Sequence, residues 1–419
     1  MKGVFAGLLF LFSCITFAQD TAYGQILSDI KKKDFFTAQK NYDAVKNELN
    51  EFQQYFVEAY LENAFNQLEK SKMHIDVLLT EYSTQLSDKN KADFLSLQHE
   101  NALKLFDYKL GKKCLEKILN EYKHVLTEDE LQDYQNGLII LTALENEKPQ
   151  KLYIDDLVKI KMIRDQVGLK NLPVQLKSDT LNFVFDTGAN ISTTTRSVAE
   201  KYGLKILKGE IEVGTITGKM VKANLAICED LKIQNLRFEN VVFIVFEDED
   251  LAFPQIDYQI IGILGFPLLE SLKEIQITQD DYFIVPKEQS TYDHPSNLAL
   301  ENLQPIIQLN GKHFTLDTGS AQSMLYRNYF EENRDNIVST YPQTKVRLGG
   351  AGGSREFAAY DIPWEVELPG HKIQLDRIPV LIEDNQEKPS PYYGNIGQDF
   401  FGKFYKMTLN FSKMFVRFD

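Results

Sequence analysis

The spacing of apolar positions changes about one third of the way along the chain. From Ala22 to Leu144 apolar residues recur every three or four positions with few glycines or prolines, which predicts helices. The segment 145–149 ends this pattern. Beyond it, β-branched and aromatic runs are broken by Gly, Asn and Asp turns, which predicts strands. The sequence therefore predicts an N-terminal helical region followed by an all-β region.

The helical region, residues 19–150, contains a weak internal repeat. Residues of the same type recur 40 positions apart: Leu79, Glu81, Tyr82, Leu86, Asp93 and Phe94 match Leu119, Glu121, Tyr122, Leu126, Asp133 and Tyr134. Stacked helical hairpins produce spacing of this order, because each unit buries its apolar face on its neighbour. The region resembles a tetratricopeptide-like array. Two roles stay open for it: a surface that binds a protein partner, or a cap packed on the rest of the chain.

Two hairpins of the β region each run into the tripeptide Asp-Thr-Gly. They are predicted over 172–185 and 305–316, the second around the tight-turn pair Asn310-Gly311. The tripeptides are Asp186-Thr187-Gly188 and Asp317-Thr318-Gly319. A single Asp-Thr-Gly is weak evidence, since Asp and Gly are ordinary turn residues. Two copies at matching places are much stronger.

The segments after the two tripeptides correspond in order and spacing. They contain short helices at 197–202 and 325–333, glycine-containing hairpins, and apolar strands at 241–246 and 378–382. Each copy ends in Gly-x-x-Gly, and its first glycine lies 76 residues after Asp186 (Gly262) or 77 residues after Asp317 (Gly394). Chance tripeptides would not keep this register. The β region is therefore predicted to be an internal duplication, with a first lobe at 151–295 and a second lobe at 296–419.

A pair of aspartates brought together by this duplication suits one kind of chemistry. Two carboxylates a few ångströms apart cannot both ionise, so they share one proton. The ionised carboxylate takes a proton from a water held between them, and the protonated one donates to a substrate carbonyl. Gly188 and Gly319 let the two backbones approach closely, and the hydroxyls of Thr187 and Thr318 are placed to hydrogen-bond across the loops. Neither a metal nor another cofactor is required.

These motifs resemble those of bacterial retropepsin-like aspartic proteases, here with two fused lobes as in the pepsin-like arrangement. The resemblance covers residues 152–419 and leaves the helical region unexplained. It implies a peptide or protein substrate and a catalytic dyad of Asp186 and Asp317, supported by the Thr and Gly of each tripeptide. It also implies an apolar-apolar-Gly segment behind each catalytic loop, at Ile260-Ile261-Gly262 and Tyr393-Gly394.

The resemblance places substrate-covering flaps at the two glycine-containing hairpins. The candidate residues are Gly214, Thr215, Ile216, Thr217 and Gly218 in the first lobe, and Gly349, Gly350, Ala351, Gly352 and Gly353 in the second. Neither hairpin has the tyrosine of pepsin-like flaps, since Tyr360 comes too late, and this fits a retropepsin-like flap better. The second hairpin also lacks the Lys-Ser/Thr ending and the following helix of a phosphate-binding loop.

The first residues and the charge bear on where the protein works. Lys2, the apolar stretch 4–17 and the small residues around Ala18 predict a signal peptide over 1–18, and hence a periplasmic or secreted protein. A lipid anchor at Cys14 is the alternative. No stretch is long enough for a comfortable membrane span. The net charge of −14 argues against a nucleic-acid binder, which would show a basic patch.

Other chemistries find little support in the sequence. The six histidines are scattered, without the His-x-x-x-His pair that predicts a metal site. There is no Gly-x-Ser-x-Gly elbow, and Cys228 has no adjacent histidine. Two rivals to a one-chain protease stay open: a peptide-binding module that kept the fold and lost turnover, and a homodimer that uses one aspartate from each chain. Cleavage preference and working pH are not readable from the sequence.

Overall fold

The computed structural model describes residues 21–154, 156–215, 218–368, 370–383 and 390–419. Its first part is helical, with α1 at 21–31, α2 Phe35–Val45, α3 Glu51–Ala64, α4 Leu68–Thr80, α5 Asp88–Lys104, α6 Tyr108–Glu121 and α7 Glu128–Leu144. An N-terminal helical region is confirmed, and its last helix ends where the sequence pattern ends. The predicted signal peptide and Cys14 lie outside the described residues.

The repeat in the helical sequence coincides with a repeat of elements. A 3₁₀ turn at Ser83–Gln85 joins α4 to α5, and another at Lys123–Val125 joins α6 to α7, 40 residues later. Ser87 and Thr127 then cap α5 and α7, each accepting a hydrogen bond from the N–H three residues on. Consecutive helices from α3 to α7 pack on one another. The tetratricopeptide-like character of this region stays a prediction.

The rest of the chain consists of strands and four short helices among the described residues: α8 Arg196–Tyr202, α9 Phe266–Glu270, α10 Arg327–Thr340 and α11 Gln398–Phe401. The first-lobe strands are β1 Lys151–Ile154, β2 Val158–Lys161, β3 Ile163–Arg164, β4 Lys170–Leu176, β5 Asp179–Phe185, β6 Ser192–Thr195, β7 Lys205–Ile206, β8 Ile211–Gly214, β9 Met220–Cys228, β10 Leu231–Ile233, β11 Leu236–Glu239, β12 Val241–Phe246, β13 Ala252–Phe253, β14 Tyr258–Gln259, β15 Gly262–Leu264, β16 Glu274–Thr278 and β17 Tyr282–Val285. The second-lobe strands are β18 Leu298–Glu301, β19 Gln304–Leu309, β20 Lys312–Leu316, β21 Met324–Leu325, β22 Gln343–Gly350, β23 Gly353–Leu368, β24 His371–Leu381, β25 Gly394–Ile396, β26 Lys406–Asn410 and β27 Phe415–Phe418.

The same strand order occurs in both lobes. It runs β4-β5-β15-β6-β12-β9 in the first lobe and β19-β20-β25-β21-β24-β23 in the second. In each lobe the strand that leads into Asp-Thr-Gly pairs in parallel with the strand of the Gly-x-x-Gly segment, Phe185 with Leu264 and Leu316 with Ile396. The two copies found in the sequence are therefore two copies of one topology.

A further sheet joins the lobes to each other. Its order is β2-β17-β16-β26-β27, and β16 of the first lobe pairs antiparallel with β26 of the second from Glu274↔Asn410 to Thr278↔Lys406. The buried Glu274 carboxylate accepts hydrogen bonds from Ser290 and Asn410, which satisfies its charge inside the sheet. Backbone hydrogen bonds therefore fix the position of one lobe against the other.

The helical region packs on both lobes. Apolar side chains of α2 and α3 share one buried core with strands of the two lobes. Side chains of α5, α6 and α7 share another with the first lobe, where Leu141 is fully buried. Asn136 of α7 also donates to the carbonyl of Glu212 at 2.8 Å and accepts from its N–H at 3.1 Å, at the edge of β8. The region has the arrangement of a packed cap; a partner surface on it stays a prediction.

Within the described ranges, no helix is both long enough and apolar enough to cross a membrane.

Candidate active site

Two apolar strands deliver the candidate aspartates to one place. Phe185 and Leu316, the last residues of β5 and β20, are fully buried. Directly after them, the N–H of Asp186 donates to the carbonyl of Leu264 at 3.2 Å, and the N–H of Asp317 donates to the carbonyl of Ile396 at 3.0 Å. Each aspartate therefore begins its loop from a backbone position held by the neighbouring parallel strand.

The segment behind each loop lies slightly later than the resemblance implied. The sequence pointed to Ile260-Ile261-Gly262 and Tyr393-Gly394, whereas the glycines that abut the loops are Gly265 and Gly397. A Cβ on Gly265 would lie 2.5 Å from the Ile191 carbonyl carbon, and one on Gly397 would lie 2.7 Å from the Ser320 carbonyl oxygen. Each Gly-x-x-Gly offers two glycines, and the sequence does not tell which of them meets the loop.

Two threonines lock the loops to each other. The N–H of Thr187 donates to Oγ1 of Thr318 at 2.9 Å, and the N–H of Thr318 donates to Oγ1 of Thr187 at 3.1 Å. Each hydroxyl then donates to a carbonyl in the opposite lobe, that of Leu316 at 2.9 Å and that of Phe185 at 3.1 Å. Both threonines are fully buried, so these four bonds leave none of these donors unpaired. The hydrogen bonds across the loops are those that the sequence suggested.

Two glycines allow the carboxyls to face each other. A Cβ on Gly188 would lie 2.7 Å from Cγ of Asp317, and one on Gly319 would lie 2.2 Å from Cγ of Asp186. Real Cβ atoms essentially never come this close, so the loops can approach only without side chains here. The two carboxyl groups consequently lie within hydrogen-bonding reach of each other.

The surroundings of the pair stabilise one negative charge and disfavour two. Oδ1 of Asp186 accepts from the N–H groups of Gly188 at 2.7 Å and Ala189 at 3.2 Å, and Oδ1 of Asp317 accepts from Gly319 at 2.9 Å. Protein encloses most of each carboxyl, and one side of each stays open to the cleft. Burial raises the pKa of Asp186, and burial together with the nearby Asp186 charge raises the pKa of Asp317 well above its usual value. A pair that holds one proton follows.

The aspartates lie in a cleft of about 1080 Å³. Of the predicted flap residues, Gly214, Thr215, Gly218 and Gly349 line it. Ile216 and Thr217 lie outside the described residues. Gly350 and Gly353 pair with each other at the end of the β22–β23 hairpin.

The tip of the second predicted flap hairpin reaches the first lobe. The N–H of Gly352 donates to the carbonyl of Asp250 at 2.8 Å, and Ala351 packs against the first-lobe core. A Cβ on Gly352 would lie 3.1 Å from Val221 and 3.2 Å from Thr215 of the first flap hairpin. The second hairpin thus crosses to the other lobe and meets the first.

Comparison with known families agrees with this topology. Residues 172–268 match the family model described as aspartyl protease, a span that contains Asp186 and the first flap hairpin. The β region has an aspartic-protease-like fold. No curated protein matches the chain.

Three solved structures are similar to parts of this chain. A basic 7S globulin from soybean is 10% identical, over 63% of this chain and 95% of its own, with a TM-score of 0.40. A retropepsin-like aspartic protease from Rickettsia conorii is 25% identical, over 31% of this chain and 98% of its own, with a TM-score of 0.24. Conglutin gamma from lupine seeds is 10% identical, over 62% of this chain and 94% of its own, with a TM-score of 0.39.

The aspartic-protease-like site also contains a polar pair that sequence reasoning missed. Nδ2 of Asn395 donates to Oδ2 of Asp317 at 3.4 Å, and the Thr315 hydroxyl donates to Oδ1 of Asn395 at 2.6 Å. Asn395 is buried. Its position between Gly394 and Gly397, where the first lobe has an apolar residue, is the signal that could have found it.

Proposed function

We propose that this protein is an exported aspartic endopeptidase in which Asp186 and Asp317 activate a water against a peptide bond. One observation carries the proposal: two carboxyls from equivalent positions of two lobes face each other in one cleft, within one chain. The raised pKa values of both groups support a shared proton. Because the pair is complete within the chain, a homodimer is not needed to form it.

The proposed reaction needs no group beyond the dyad and water. The ionised carboxylate removes a proton from water, and the oxygen of this water attacks the carbonyl carbon of the scissile bond. The protonated carboxyl gives its proton to the carbonyl oxygen, and a tetrahedral diol forms. As the C–N bond breaks, the carboxyl that took a proton from water gives it to the leaving amine. The other carboxyl takes a proton back from a hydroxyl of the diol. One carboxyl is again protonated and the other ionised.

Two features of the site support turnover of a peptide over binding alone. The N–H bonds to Oδ1 and the threonine pairs hold the carboxyls in fixed positions, which is what general acid–base catalysis requires. The cleft, with flap residues along its lining, is large enough for several residues of an extended chain. The export and the placement of cleavage outside the cytoplasm rest on the signal-peptide pattern alone.

The test is cleavage of a mixed peptide library by the chain that begins after Ala18, from about pH 3 to about pH 8, where aspartate pairs titrate. Wild-type protein should cleave it, and Asp186→Asn and Asp317→Asn should each abolish cleavage. Asp335→Asn, an exposed change on α10, serves as the matched control and should leave cleavage intact.

Two outcomes would contradict the proposal. Cleavage that persists in both active-site variants would exclude the dyad as its source. Absence of cleavage by the wild-type protein, with peptide binding retained, would favour the binding module on the same fold. Mass-spectrometric readout of the products distinguishes the two.

A further inference from the structure

The second flap has two chemically different faces. In the β22–β23 hairpin, Leu348 pairs with Arg355, and Arg347 pairs with Glu356. Side chains of such cross-strand pairs lie on the same face of a hairpin, and neighbouring pairs alternate between faces. Leu348 and Arg355 therefore share one face, which we call the inner face, and Arg347 and Glu356 share the outer face.

The inner face is directed toward the dyad. Leu348 and Phe357 on this face form a buried cluster with Met324 of β21. Met324 in turn pairs with Asn395, whose amide donates to Asp317. Leu348 and Arg355 line the same cleft as the two aspartates. Arg347 of the outer face also reaches the lining, but its guanidinium is bonded to Glu356.

Arg355 lies at the mouth of this cleft, and no carboxylate of the described residues pairs with it. Its guanidinium lies over the Phe357 ring, 4.8 Å from the centroid. Its Nη1 would be 3.4 Å from a Cβ on Gly218 of the first flap. In the described part of the chain no Asp or Glu pairs with it, whereas Arg347 on the outer face is bonded to Glu356 at 2.9 Å.

The charges of the cleft run against those of the whole chain. The net charge of the protein is −14, yet among the described residues the only acidic side chains in the cleft lining are Asp186 and Asp317. The first-lobe side of the lining is mainly apolar, although Thr215, Lys219 and Gln255 also belong to it. Its apolar part is formed by Val167, Leu169, Phe253, Ile256, Tyr258 and Ile260. An extended peptide across the dyad would therefore meet a mainly apolar wall in the first lobe. Under the second hairpin it would meet the Arg355 guanidinium, which has no Asp or Glu partner among the described residues.

We propose that Arg355 selects peptide substrates that carry a glutamate or aspartate side chain beneath the second flap. This inference rests on the proposed function, since it takes a peptide lying across the dyad as the substrate. A guanidinium and a carboxylate form two parallel charge-assisted hydrogen bonds, and Phe357 beneath the guanidinium limits its movement. Hydrogen bonds to charged groups of this kind change affinity by roughly 10- to 100-fold.

The experiment compares paired peptides that differ only by Glu or Gln at one position, scanned along a cleaved sequence. It is run near pH 6, where a glutamate with its usual pKa of about 4.3 is ionised. Wild-type kcat/KM should be about 10-fold or more higher for the Glu peptide at one position. Arg355→Gln should remove this difference. Arg355→Glu should instead cleave a peptide with Lys at that position faster than the Glu peptide.

Lys345→Gln is the matched control. It removes one positive charge from the same flap, but Lys345 lies on the outer face and contacts Glu356 at 3.6 Å. It should keep the preference of the wild-type protein. A melting curve for each variant excludes unfolding as the cause of a change.

The outcomes separate this inference from the proposed function. Equal cleavage of the Glu and Gln peptides at every position by wild-type protein would overturn the role of Arg355 while leaving the protease intact. Loss of the Glu preference in Lys345→Gln to the same extent as in Arg355→Gln would also overturn it. If no peptide is cleaved, the proposed function fails. The role of Arg355 is then tested by binding, with fluorescence anisotropy of the same peptides on the Asp186→Asn variant. Tighter binding of a Glu peptide that Arg355→Gln removes would support the inference, and equal binding would overturn it.

Discussion

Behind Asp186 the first lobe has the cross-strand pair Val184 and Ile263, and behind Asp317 the second lobe has Thr315 and Asn395. The backbone around the two aspartates is nearly the same: each N–H donates to the strand behind it, and each Oδ1 accepts from the glycine of its own tripeptide. Among the described residues, only Asp317 receives an additional side-chain amide. The lobes therefore agree in backbone and differ in the chemistry beside the carboxyl.

This difference suggests a division of labour within a duplicated site. The contacts that both lobes keep are those that fix geometry, since the threonine and glycine contacts run symmetrically from each loop to the other. The contacts that differ act on the proton. A side-chain amide that donates to Asp317 favours its ionised form. In the described residues no side-chain amide donates to Asp186, which instead receives the backbone N–H of Ala189. In such a site, symmetric contacts set the shape and asymmetric contacts set the charge.

The largest effect is expected from the glycines that separate the carboxyls. Gly188→Ala and Gly319→Ala each push a carboxyl away from its partner, because the new Cβ would lie 2.7 Å and 2.2 Å from the opposite Cγ. A displacement of about 1 Å at a reacting group costs on the order of 100-fold in rate. Both variants should lose at least that factor in kcat, and Gly319→Ala should lose more, as measured by steady-state kinetics on one peptide.

Gly311→Ala is the control for a glycine without such contacts. Its φ is +73° and nothing lies within 4 Å of an added Cβ, so the change strains a hairpin turn and leaves the dyad alone. It should lower the melting temperature slightly and keep kcat. An equal kcat for wild type and Gly319→Ala would contradict the geometry of the pair.

The next effect tests the symmetry of the threonines. Thr187→Val and Thr318→Val each delete a hydroxyl that accepts one buried N–H and donates to one buried carbonyl. Leaving such groups unpaired costs about 1–3 kcal/mol each. Each variant should therefore lower the free energy of unfolding by roughly 2–6 kcal/mol, and the two losses should agree within about 0.5 kcal/mol. Chemical denaturation measures both, and a loss confined to one lobe would break the symmetry.

The sequence predicted the local elements well where the turn residues match the pairing of the strands that flank them. Asn310 and Gly311 both have positive φ, as a two-residue hairpin turn requires, and β19 and β20 flank them as expected. Helix α10 is longer than the predicted 325–333, because it continues to Thr340 before Pro342 prevents a further turn. That proline was a readable signal.

Long-range features could not be read from the sequence in the same way. The pairing of β16 with β26 joins residues 128 to 136 positions apart, and no local pattern encodes it. The contact of Asn136 with Glu212 and the packing of the helices on both lobes depend on tertiary fit between distant surfaces. At the site, Asn395 was not predicted, because the resemblance expects apolar residues in that segment. The duplication aligns Asn395 with Ile263 of the first lobe, and this change from an apolar to a polar residue could have been read from the sequence.

A smaller effect is expected on stability, and it links the shared proton to folding. A raised pKa in the folded state contributes stability that is full below the usual aspartate pKa, about 3.9, and is lost as pH rises through the raised value. Both Asp186 and Asp317 have raised pKa values. Asp317→Asn should therefore raise the melting temperature at pH 7 by on the order of 2 °C, and this gain should vanish near pH 3.5. A gain of the same size at both pH values would exclude the linkage.

The smallest effect tests the asymmetry itself. Asn395→Ile gives the second lobe the residue of the first and removes the amide that lowers the pKa of Asp317. With that donor gone the ionised form loses support, so the pKa of Asp317 rises further. The alkaline limb of kcat/KM, where the dyad loses its last proton, should move to higher pH while the maximal rate changes little.

Two observations sharpen this last comparison. Thr315→Val, which frees the Asn395 amide without removing it, should move the alkaline limb in the same direction by less, because the Thr315 hydroxyl bonds Oδ1 of Asn395 at 2.6 Å and orients it. Ile263→Val, at the matching place in the first lobe, removes no polar contact and should leave the profile unchanged. A shift to lower pH in Asn395→Ile would mean that the amide supports the protonated carboxyl. The asymmetry of the two lobes would then act on the proton in the opposite sense.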